Sequence, residues 1–578
     1  MTLWILFCRV NARVDTLFPR KSVSFIAKIT LLPTLAPCDP DFPRRCACHF
    51  TTTTQIVEKP GIEDSPRLTT GRFSFYDKHM NMKPRKKVTS HFSSISATQK
   101  AGALALIVFL LFFLLLLTVM TNPRTVMTSP HEQEYPEYRQ QAPGNNTNQV
   151  IIDPASSGVI IPPSFVGIST EPGSNPCNIL ALDQQNPTLV ENMFKNLGPG
   201  ILRIGGISVE HVSWSPDGTY SCSDSNTVQT QSLVNATIAF LRKVGWKVIW
   251  DVNLKNGNPT ADADEAAYIA RIAGPTLLGI ELGNEPNLYG WSYNTYQSKW
   301  EGIASAIKAR GQTIPLVGPG GTDCCTDFYT PFLHAESSKL VMATDHYYPT
   351  YHTTTFTDLL SPSLMQATVS SLQPRLALAQ SNHLPYQLDE SNAVASVRYV
   401  PPYSIGGAFG VSLWALDYLF TVAEHGVAGV NIHGFSGDDT SIFDSNGSPR
   451  PIYYGMLAFH DAASNGTLIP VITNTTMNIT AHAVVGNDGN LKLIIINKDQ
   501  SKSAQVQINT TQSYSLATAV RLAAPSVSAT TGITLGGVPI SFNRAWSPST
   551  GELVSVAGAN SQITLPSGSA AIITYSNR

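Results

Sequence analysis

The sequence predicts an α/β fold: a (β/α)8 TIM barrel plus a C-terminal antiparallel β-sandwich, with an N-terminal single transmembrane helix. Three patterns indicate it. Eight short apolar runs alternate with helical patterns between about 160 and 460, two-residue alternation dominates after about 465, and an uncharged apolar run begins at residue 101. With 43% hydrophobic residues the 578-residue chain has a folded composition, and its net charge of −2 gives no sign of nucleic-acid binding.

The first 121 residues predict a cytoplasmic tail and a membrane anchor. Residues 1–100 hold 16 Lys and Arg against 7 Asp and Glu and show no domain-like pattern, which predicts a basic, disordered tail. Residues 101–121 carry no charge, and a membrane-spanning helix needs about 20 such apolar residues. Basic residues cluster just before this run, so the positive-inside rule places the N-terminus in the cytoplasm. Residues 122–148 are a polar linker.

Seven Asn-x-Ser/Thr sequons all follow the apolar run, and none precedes it. Sequons are glycosylated only in the secretory lumen, so this distribution supports the same orientation. The sequence therefore predicts a single-pass type II membrane protein that faces the extracellular space or the secretory lumen. Secretion after cleavage of the apolar segment is the alternative. The candidate glycosylation sites are Asn145, Asn235, Asn446, Asn465, Asn474, Asn478 and Asn509.

Residues 149–464 contain the eight predicted barrel strands, which are rich in β-branched and aliphatic residues. Eight β–α repeats over about 300 residues predict a (β/α)8 barrel, and a doubly wound open sheet is the alternative. The predicted strands are Val166–Thr170, Ile201–Gly206, Lys247–Asn253, Leu277–Asn284, Ile314–Gly318, Val341–Tyr347, Tyr386–Glu390 and Val427–His433. Helices are predicted to fill the gaps between these strands, for example at 187–198, 228–245, 260–274, 293–310, 362–380 and 403–420.

Residues 465–578 predict the β-sandwich, because short alternating strands are separated by turns rich in Gly, Asn, Ser and Pro. An early strand around Gln149–Asp153 is a candidate member of the same sandwich. Four cysteines follow the apolar run, and Cys177–Cys222 is the predicted disulfide. The adjacent Cys324 and Cys325 are left without a predicted partner.

Two barrel strands end in glutamates. The fourth ends in Asn-Glu-Pro at Glu285, and the seventh ends in Asp-Glu-Ser-Asn at Glu390. Catalytic groups of barrel enzymes lie at the carboxyl ends of the strands. Two carboxyl groups about 5–5.5 Å apart suit a retaining glycosidase, in which one protonates the leaving oxygen and the other attacks the anomeric carbon.

Several segments together resemble glycoside hydrolase family 79, which comprises β-glucuronidases and heparanases. They are Leu202–Gly206, Gly279–Asn287, Asp389–Asn392, Ser412–Phe420 and Gly426–Val430, and the order of barrel and sandwich is similar as well. The resemblance covers residues 150–578. It implies that Glu285 is the acid/base and Glu390 the nucleophile of a double displacement, with neither metal nor cofactor required.

Neighbouring side chains fit these roles. We expect Arg203, from the second strand, to lie beside Glu390 and keep it ionised, since a nearby cation favours the carboxylate. Asn284 is expected to hold the sugar 2-OH, and Tyr347 to donate its hydroxyl to the nucleophile. Glu281 is expected to be a structural partner of Arg203.

Strict alternation along the seventh strand implies that only one of Asp389 and Glu390 faces the mouth, and Glu390 is the expected one. Uronate recognition is expected from Tyr347, Tyr348, His433 and the loop that begins at Gly434. The predicted substrate is thus a glycan that bears β-linked uronic acid.

An exo-acting β-glucuronidase, which removes terminal glucuronic acid or its 4-O-methyl derivative, is the favoured function. An endo-acting, heparanase-like hydrolase is one alternative, although residues 101–578 carry a net −11 and offer few basic clusters for a sulfated polyanion. An inactive, membrane-tethered carbohydrate-binding or cell-wall protein is the other alternative.

Overall fold

The computed structural model describes residues 148–577, apart from 174, 312, 352–353, 396–404, 438, 464 and 549–550, together with two short strands nearer the N-terminus. Those strands, Ile29–Pro33 and Phe50–Thr54, pair antiparallel within the stretch predicted to be a disordered tail. The predicted membrane anchor 101–121 and nearly all of the linker lie outside the described residues. Among the described helices, none combines the length and the apolarity that a membrane crossing requires.

Eight parallel strands close into a barrel in chain order, and the eighth strand pairs with the first. This closure confirms the predicted barrel and excludes the doubly wound sheet. The first to eighth barrel strands are Val166–Thr170, Ile201–Ile204, Lys247–Val252, Leu277–Leu282, Leu316–Thr322, Leu340–Tyr347, Tyr386–Ser391 and Gly429–His433. The strands are buried almost throughout, as expected where helices cover a parallel sheet.

Helices surround the barrel and begin at residues suited to capping. Thr230, Ser292 and Ser361 each accept a hydrogen bond from a backbone amide of the first helical turn, and Gly245 ends its helix in the left-handed conformation. The helices are Asn175–Gln185, Pro187–Lys195, Gln231–Val244, Pro259–Ala273, Tyr293–Ala309, Tyr329–Glu336, Phe356–Leu359, Pro362–Ser381, Gly410–Glu424 and Pro451–Ala463.

The sandwich is confirmed and consists of two sheets of eight and five strands. The larger contains Val159–Ile160, Thr467–Ile469, Ile479–Val485, Leu491–Asn497, Leu516–Ala523, Thr534–Leu535, Glu552–Leu553 and Ser569–Ser576. The smaller contains Asn148–Ile152, Val471–Asn474, Ala504–Asn509, Val556–Ala557 and Asn560–Leu565. The predicted barrel range 149–464 therefore begins with residues that pair in the sheets of the sandwich.

The larger sheet is buried on both faces. In strand Leu491–Asn497, Leu493 and Ile495 belong to the core between the two sheets, whereas Ile494 and Ile496 belong to the core shared with the barrel helices. Alternate residues of a strand point to opposite faces, which explains this division. The sandwich thus packs firmly against the barrel.

The predicted disulfide and six of the seven candidate glycosylation sites lie within the described residues. Cys177 and Cys222 form the predicted disulfide. Asn235, Asn446 and Asn465 are exposed, whereas Asn474, Asn478 and Asn509 are partly buried. Asn145 lies outside the described residues.

Candidate active site

Arg203 lies at the centre of the barrel mouth and is fully buried. Its Nη1 donates to Glu390 Oε2 at 2.7 Å, and its Nη2 donates to Glu281 Oε2 at 2.8 Å and to Asn284 Oδ1 at 3.0 Å. Burial alone would lower the pKa of Arg203, but the surrounding carboxylates hold that pKa well above its usual value. Arg203 therefore joins the ends of the second, fourth and seventh strands by charge-assisted hydrogen bonds, and Glu281 is its expected structural partner.

Glu390 is held as a carboxylate by three basic side chains and a hydroxyl. The Tyr348 hydroxyl donates to Glu390 Oε1 at 2.8 Å, and His433 Nδ1 lies 3.5 Å from Oε2. Burial would raise the pKa of Glu390, but His433, His346 and Arg203, together with the Tyr348 hydrogen bond, outweigh it and lower this pKa. An ionised carboxylate is the state that can attack an electrophilic carbon.

Glu285 follows the fourth strand in a left-handed backbone conformation, with φ of 45°. Its amide donates to the carbonyl of Gly320 on the fifth strand at 2.8 Å, which fixes this unusual turn. Its Oε1 lies 3.3 Å from His346 Nδ1, and its side chain is 21% exposed. The carboxyl group is therefore positioned by backbone and side chain while it remains accessible from the mouth.

His346 stands between the two glutamates. One oxygen of Glu285, one oxygen of Glu390 and a ring nitrogen of His346 all lie within 4.8 Å of one another. Burial would lower the pKa of His346, but Glu390 and Glu285 raise it despite the opposing charge of Arg203. The two glutamates thus favour the protonated form of the imidazole that lies between them.

Beneath the glutamates lies a second layer of carboxyl groups. Asp389 Oδ2 is 3.6 Å from Arg203 Nε, and Asp251 Oδ2 is 3.6 Å from Arg203 Nη2. Burial, followed by the charge of Glu281, raises the pKa of both aspartates. This shift favours the neutral form of each aspartate, which limits the negative charge of the buried cluster.

The expectation that Asp389 and Glu390 point to opposite sides is wrong, since both side chains reach Arg203. The seventh strand shifts register against the sixth strand between Asp345 and His346, and against the eighth between Leu388 and Ser391. Such irregularities redirect side chains and interrupt strict alternation. The bulged strand end therefore contributes two consecutive carboxyl groups to the same network.

The expected contact from Tyr347 to the nucleophile is also wrong. Its hydroxyl donates to Thr368 Oγ1 at 3.2 Å, on the helix Pro362–Ser381. Tyr347 is the last residue of the sixth strand and points outward to the helix layer, so its neighbour Tyr348 reaches Glu390 instead. Of the residues predicted for the site, the structure brings together Arg203, Asn284, Glu285, Tyr348, Glu390 and His433.

The eighth strand ends at His433, and Gly434 directly follows it. His433 Nδ1 lies 3.0 Å from Ser169 Oγ, and the Gly434 amide donates to the Ser169 carbonyl on the first strand. Asn284 is anchored differently, since its backbone amide donates to the Tyr289 hydroxyl at 3.1 Å. These residues line the mouth on either side of Glu390.

Sequence reasoning missed Glu171, which directly follows the first strand. Ser208 donates to Glu171 Oε2 from both its amide and its hydroxyl, and His433 Nε2 lies 3.9 Å from Oε1. Burial raises the pKa of Glu171. Its position at the carboxyl end of a barrel strand was the available signal.

Two groups of side chains have the approximate spacing of metal ligands: Glu281, His346 and Asp389, and Glu285, His346 and Glu390. In both groups a carboxylate already binds the guanidinium of Arg203. A divalent cation in either group would face this buried positive charge, so the residues fit hydrolytic acid–base chemistry better than metal binding.

The family model described as the Glycosyl hydrolase family 79 C-terminal beta domain matches residues 481–572. The search of curated proteins found no match.

Several solved structures share the fold. A 4-O-α-L-rhamnosyl-β-D-glucuronidase from Fusarium oxysporum 12S, solved with Rha-GlcA, is 19% identical over 73% of this chain and 100% of that chain, with a TM-score of 0.63. A GH51 arabinofuranosidase from Xanthomonas axonopodis pv. citri is 14% identical over 75% of this chain and 100% of its own, with a TM-score of 0.58. An α-L-arabinofuranosidase from Thermotoga maritima is 14% identical over 74% of this chain and 99% of its own, with a TM-score of 0.56.

At these identities the solved structures establish the fold alone, whereas the family model assigns the C-terminal domain. The expected resemblance is therefore confirmed, and the chain is a glycoside hydrolase that resembles glycoside hydrolase family 79.

Proposed function

We propose that the chain is a retaining, exo-acting β-glucuronidase that removes terminal glucuronic acid, or its 4-O-methyl derivative, from glycans. The observation that carries this proposal is the approach of Glu285 and Glu390, whose nearest oxygens lie within 4.8 Å of each other around His346. Carboxyl groups of retaining enzymes are about 5–5.5 Å apart, and those of inverting enzymes about 6.5–9.5 Å. The closer spacing leaves no room for the water that an inverting reaction places between base and sugar.

In the first step a carboxylate oxygen of Glu390 attacks the anomeric carbon, and the bond from that carbon to the leaving oxygen breaks. Glu285 gives its proton to the leaving oxygen, which departs as an alcohol. Arg203 and Tyr348 keep Glu390 ionised and oriented before the attack. The product of this step is a covalent glycosyl ester on Glu390.

In the second step a water molecule attacks the anomeric carbon, and Glu285 takes the proton of that water. The ester bond breaks and returns Glu390 as a carboxylate, so the configuration of the sugar is retained. His346, which lies between the two glutamates, stabilises whichever of them is charged at each stage.

Two further groups orient the sugar in this proposal. Asn284 presents its amide nitrogen to the 2-OH, because its amide oxygen is bound by Arg203 Nη2. His433, whose side chain is 19% exposed at the mouth, recognises the uronate together with the loop that begins at Gly434.

Replacement of His433 by Ala should raise KM for an aryl β-glucuronide more than KM for the corresponding glucoside, and an equal rise for both would contradict this role.

The central test is a panel of aryl glycosides, with the full chain and the variants Glu390→Gln and Glu285→Gln. We expect release of aglycone from β-glucuronides, and a fall in kcat of roughly a thousandfold or more for Glu390→Gln. Glu285→Gln should slow the hydrolysis of substrates with a poor leaving group more than that of substrates with a good one, because only the poor leaving group needs a proton. Failure of the wild type on every β-glucuronide, or full activity of either variant, would disprove the assignment.

Stereochemistry and mode of action need separate measurements. Proton NMR of the first-formed sugar should show the β-anomer, and early accumulation of the α-anomer would contradict retention.

Free glucuronic acid should be the first product from oligosaccharides. Internal fragments of heparan sulfate without terminal release would support the endo-acting alternative instead.

We further propose that this domain faces the extracellular space or the secretory lumen, tethered by residues 101–121. The seven sequons that follow this run support the orientation. Protease treatment of intact cells should then remove the hydrolase domain from the membrane fraction. Recovery of an unglycosylated, protected chain would contradict the proposal.

A further inference from the structure

Cys324 and Cys325 lie on the loop that follows the fifth barrel strand, at the same end of the barrel as the two glutamates. The Cys325 thiol donates to the Cys324 sulfur at 3.0 Å. A disulfide bond is about 2.05 Å long, so these sulfur atoms need to approach by only about 1 Å to become bonded. Cys325 has a φ of 71°, in the left-handed region that non-glycine residues seldom adopt.

The loop is held by Asn287, two residues after Glu285. Asn287 Nδ2 donates to the carbonyls of Thr322, Cys324 and Thr326 at 3.0, 3.0 and 3.3 Å, and its Oδ1 accepts from the Thr322 amide. The side chain of Asn287 is buried. The backbone of the cysteine pair is therefore connected through one side chain to the turn that positions Glu285.

We propose that Cys324 and Cys325 form a disulfide with each other, and that this redox-sensitive ring holds the loop in place against Asn287. The bond itself is independent of the reaction catalysed, whereas its effect on catalysis rests on the proposed function. Disulfides between adjacent residues depart from the usual Cα separation, and strained, accessible disulfides are the ones most readily reduced. The ring therefore acts as a reversible modification site beside the acid/base.

The bond forms by thiol–disulfide exchange with a small-molecule disulfide such as oxidised glutathione. The thiolate of the exposed Cys325 attacks one sulfur of that disulfide and releases one small thiol. The thiolate of Cys324 then attacks the Cys325 sulfur of the mixed disulfide and releases the second small thiol. Two protein thiols are oxidised, one small disulfide is reduced to two thiols, and the two protons pass to the departing thiolates.

Peptide mass spectrometry of the full chain tests the bond. Trypsin cleaves after Arg310 and Lys339, and the peptide 311–339 contains these two cysteines and no others. After alkylation without reduction, this peptide should be unalkylated and lighter by two hydrogen atoms than its dithiol form. Recovery of the doubly alkylated peptide, or of a peptide linked to another part of the chain, would overturn the proposal.

The effect on the site is tested by reduction, with the double variant Cys324→Ser, Cys325→Ser as the matched control. Reduction of the wild type should lower kcat/KM for an aryl β-glucuronide by about threefold to tenfold, because a small displacement of a catalytic group is costly. The double variant lacks the proposed bond, so it should not respond to the reductant. Because it retains Cys177–Cys222, any effect of reducing that disulfide would appear in both proteins. Equal responses of both proteins would overturn the link to catalysis.

A readout without substrate separates this proposal from the proposed glucuronidase activity. Hydrogen exchange of residues 320–330 should accelerate when the wild type is reduced and should remain unchanged by reductant in the double variant. The chain could be inactive on β-glucuronides and still show the oxidised peptide and the faster exchange on reduction. That outcome would refute the glucuronidase assignment and leave the disulfide proposal intact. Unchanged exchange in the wild type would refute the role of the disulfide in holding the loop.

Discussion

At the scale of single residues, the carboxylates at the mouth of the barrel are arranged around the buried guanidinium of Arg203. Arg203 binds Glu390 and Glu281 within 3.0 Å and accommodates two further carboxyl groups at 3.6 Å. A lysine has no planar fork and provides only a point charge, so it would not reproduce these simultaneous contacts. The carboxylates separate into ionised and neutral groups according to their distances from this cation and their burial.

Tyr347 and Tyr348 form a natural pair of test and control at this scale. Tyr348→Phe removes the hydroxyl that donates to Glu390, and we expect kcat/KM to fall by about tenfold to a thousandfold. Tyr347→Phe removes a hydrogen bond to Thr368 only, and it should change kcat/KM less than twofold, since about 1 kcal/mol of stability is its main cost.

The pH dependence of Tyr348→Phe gives a second, independent readout. The Tyr348 hydrogen bond helps to lower the pKa of Glu390, and activity is lost as the pH falls through that pKa because the nucleophile becomes protonated. Removal of the hydroxyl raises this pKa. The acid limb of kcat/KM should therefore move to higher pH in Tyr348→Phe and stay in place in Tyr347→Phe, and the reverse order would contradict the assignment.

At the scale of elements, glycines at strand ends make room for the charged network. A Cβ on Gly205 would lie 2.5 Å from Cζ and Nε of Arg203, and one on Gly320 would lie 2.6 Å from Glu281 Oε1. These distances are far below van der Waals contact. Gly205, after the second strand, is thus explained by the close approach of Arg203 to the backbone, whereas a Cβ on its neighbour Gly206 would lie 2.7 Å from the Glu171 carboxylate.

Gly205→Ala tests this explanation, with Gly302→Ala as the control. The added methyl group must displace Arg203, so we expect kcat to fall at least about tenfold and the free energy of unfolding to fall by about 1–3 kcal/mol. Gly302 lies exposed in the helix Tyr293–Ala309 with no neighbouring atom within 4 Å of its added Cβ. Gly302→Ala should leave kcat unchanged and add up to about 1 kcal/mol of stability. Wild-type kinetics in Gly205→Ala would show that Arg203 tolerates displacement.

The barrel strands follow the sequence pattern more closely than the helices do. All eight predicted barrel strands begin within two residues of the observed ones, because a buried parallel strand is a continuous apolar run. The fifth strand extends to Thr322 rather than ending at Gly318, since Gly318-Pro-Gly-Gly321 has the composition of a turn yet continues the barrel. The sequence pattern gave no bounds for the helices Asn175–Gln185, Tyr329–Glu336, Phe356–Leu359 and Pro451–Ala463, which became evident only in the folded chain.

At the scale of the whole molecule, a buried ionic cluster joins barrel and sandwich. Asp417, on the barrel helix Gly410–Glu424, accepts from His482 Nε2 at 3.0 Å and from Lys498 Nζ at 2.6 Å, and both donors belong to the sandwich. Burial would raise the pKa of Asp417, but Lys498 and His482 lower it. The two domains therefore share a charged contact as well as an apolar interface.

Lys498→Met should destabilise the protein by about 3–5 kcal/mol at pH 7, since it leaves a buried carboxylate with one partner fewer. Asp417 has a folded pKa below its unfolded value, so its stabilising effect is present above about pH 4 and is lost as the pH falls further. The difference between variant and wild type in urea unfolding should accordingly shrink below about pH 4.

The exposed pair of Arg521 and Glu552, within the sandwich, supplies the control. Arg521→Met should cost less than about 1 kcal/mol, because water already screens that pair. Equal losses in the free energy of unfolding for Lys498→Met and Arg521→Met would show that the buried contact between the domains stabilises the protein no more than an exposed ion pair does.

The sequence by itself determined the barrel, the sandwich and the two glutamates, because each follows from local periodicity and from the residues that end a strand. It also indicated Arg203 and Glu281, which point inward from the second and fourth strands on either side of the third. Only the tertiary structure decided that Tyr348 rather than Tyr347 meets Glu390, that Asp389 joins the same network, and that His346 lies between the catalytic candidates. Those choices depend on register shifts of single residues, and a register is set by contacts between strands that are distant in sequence.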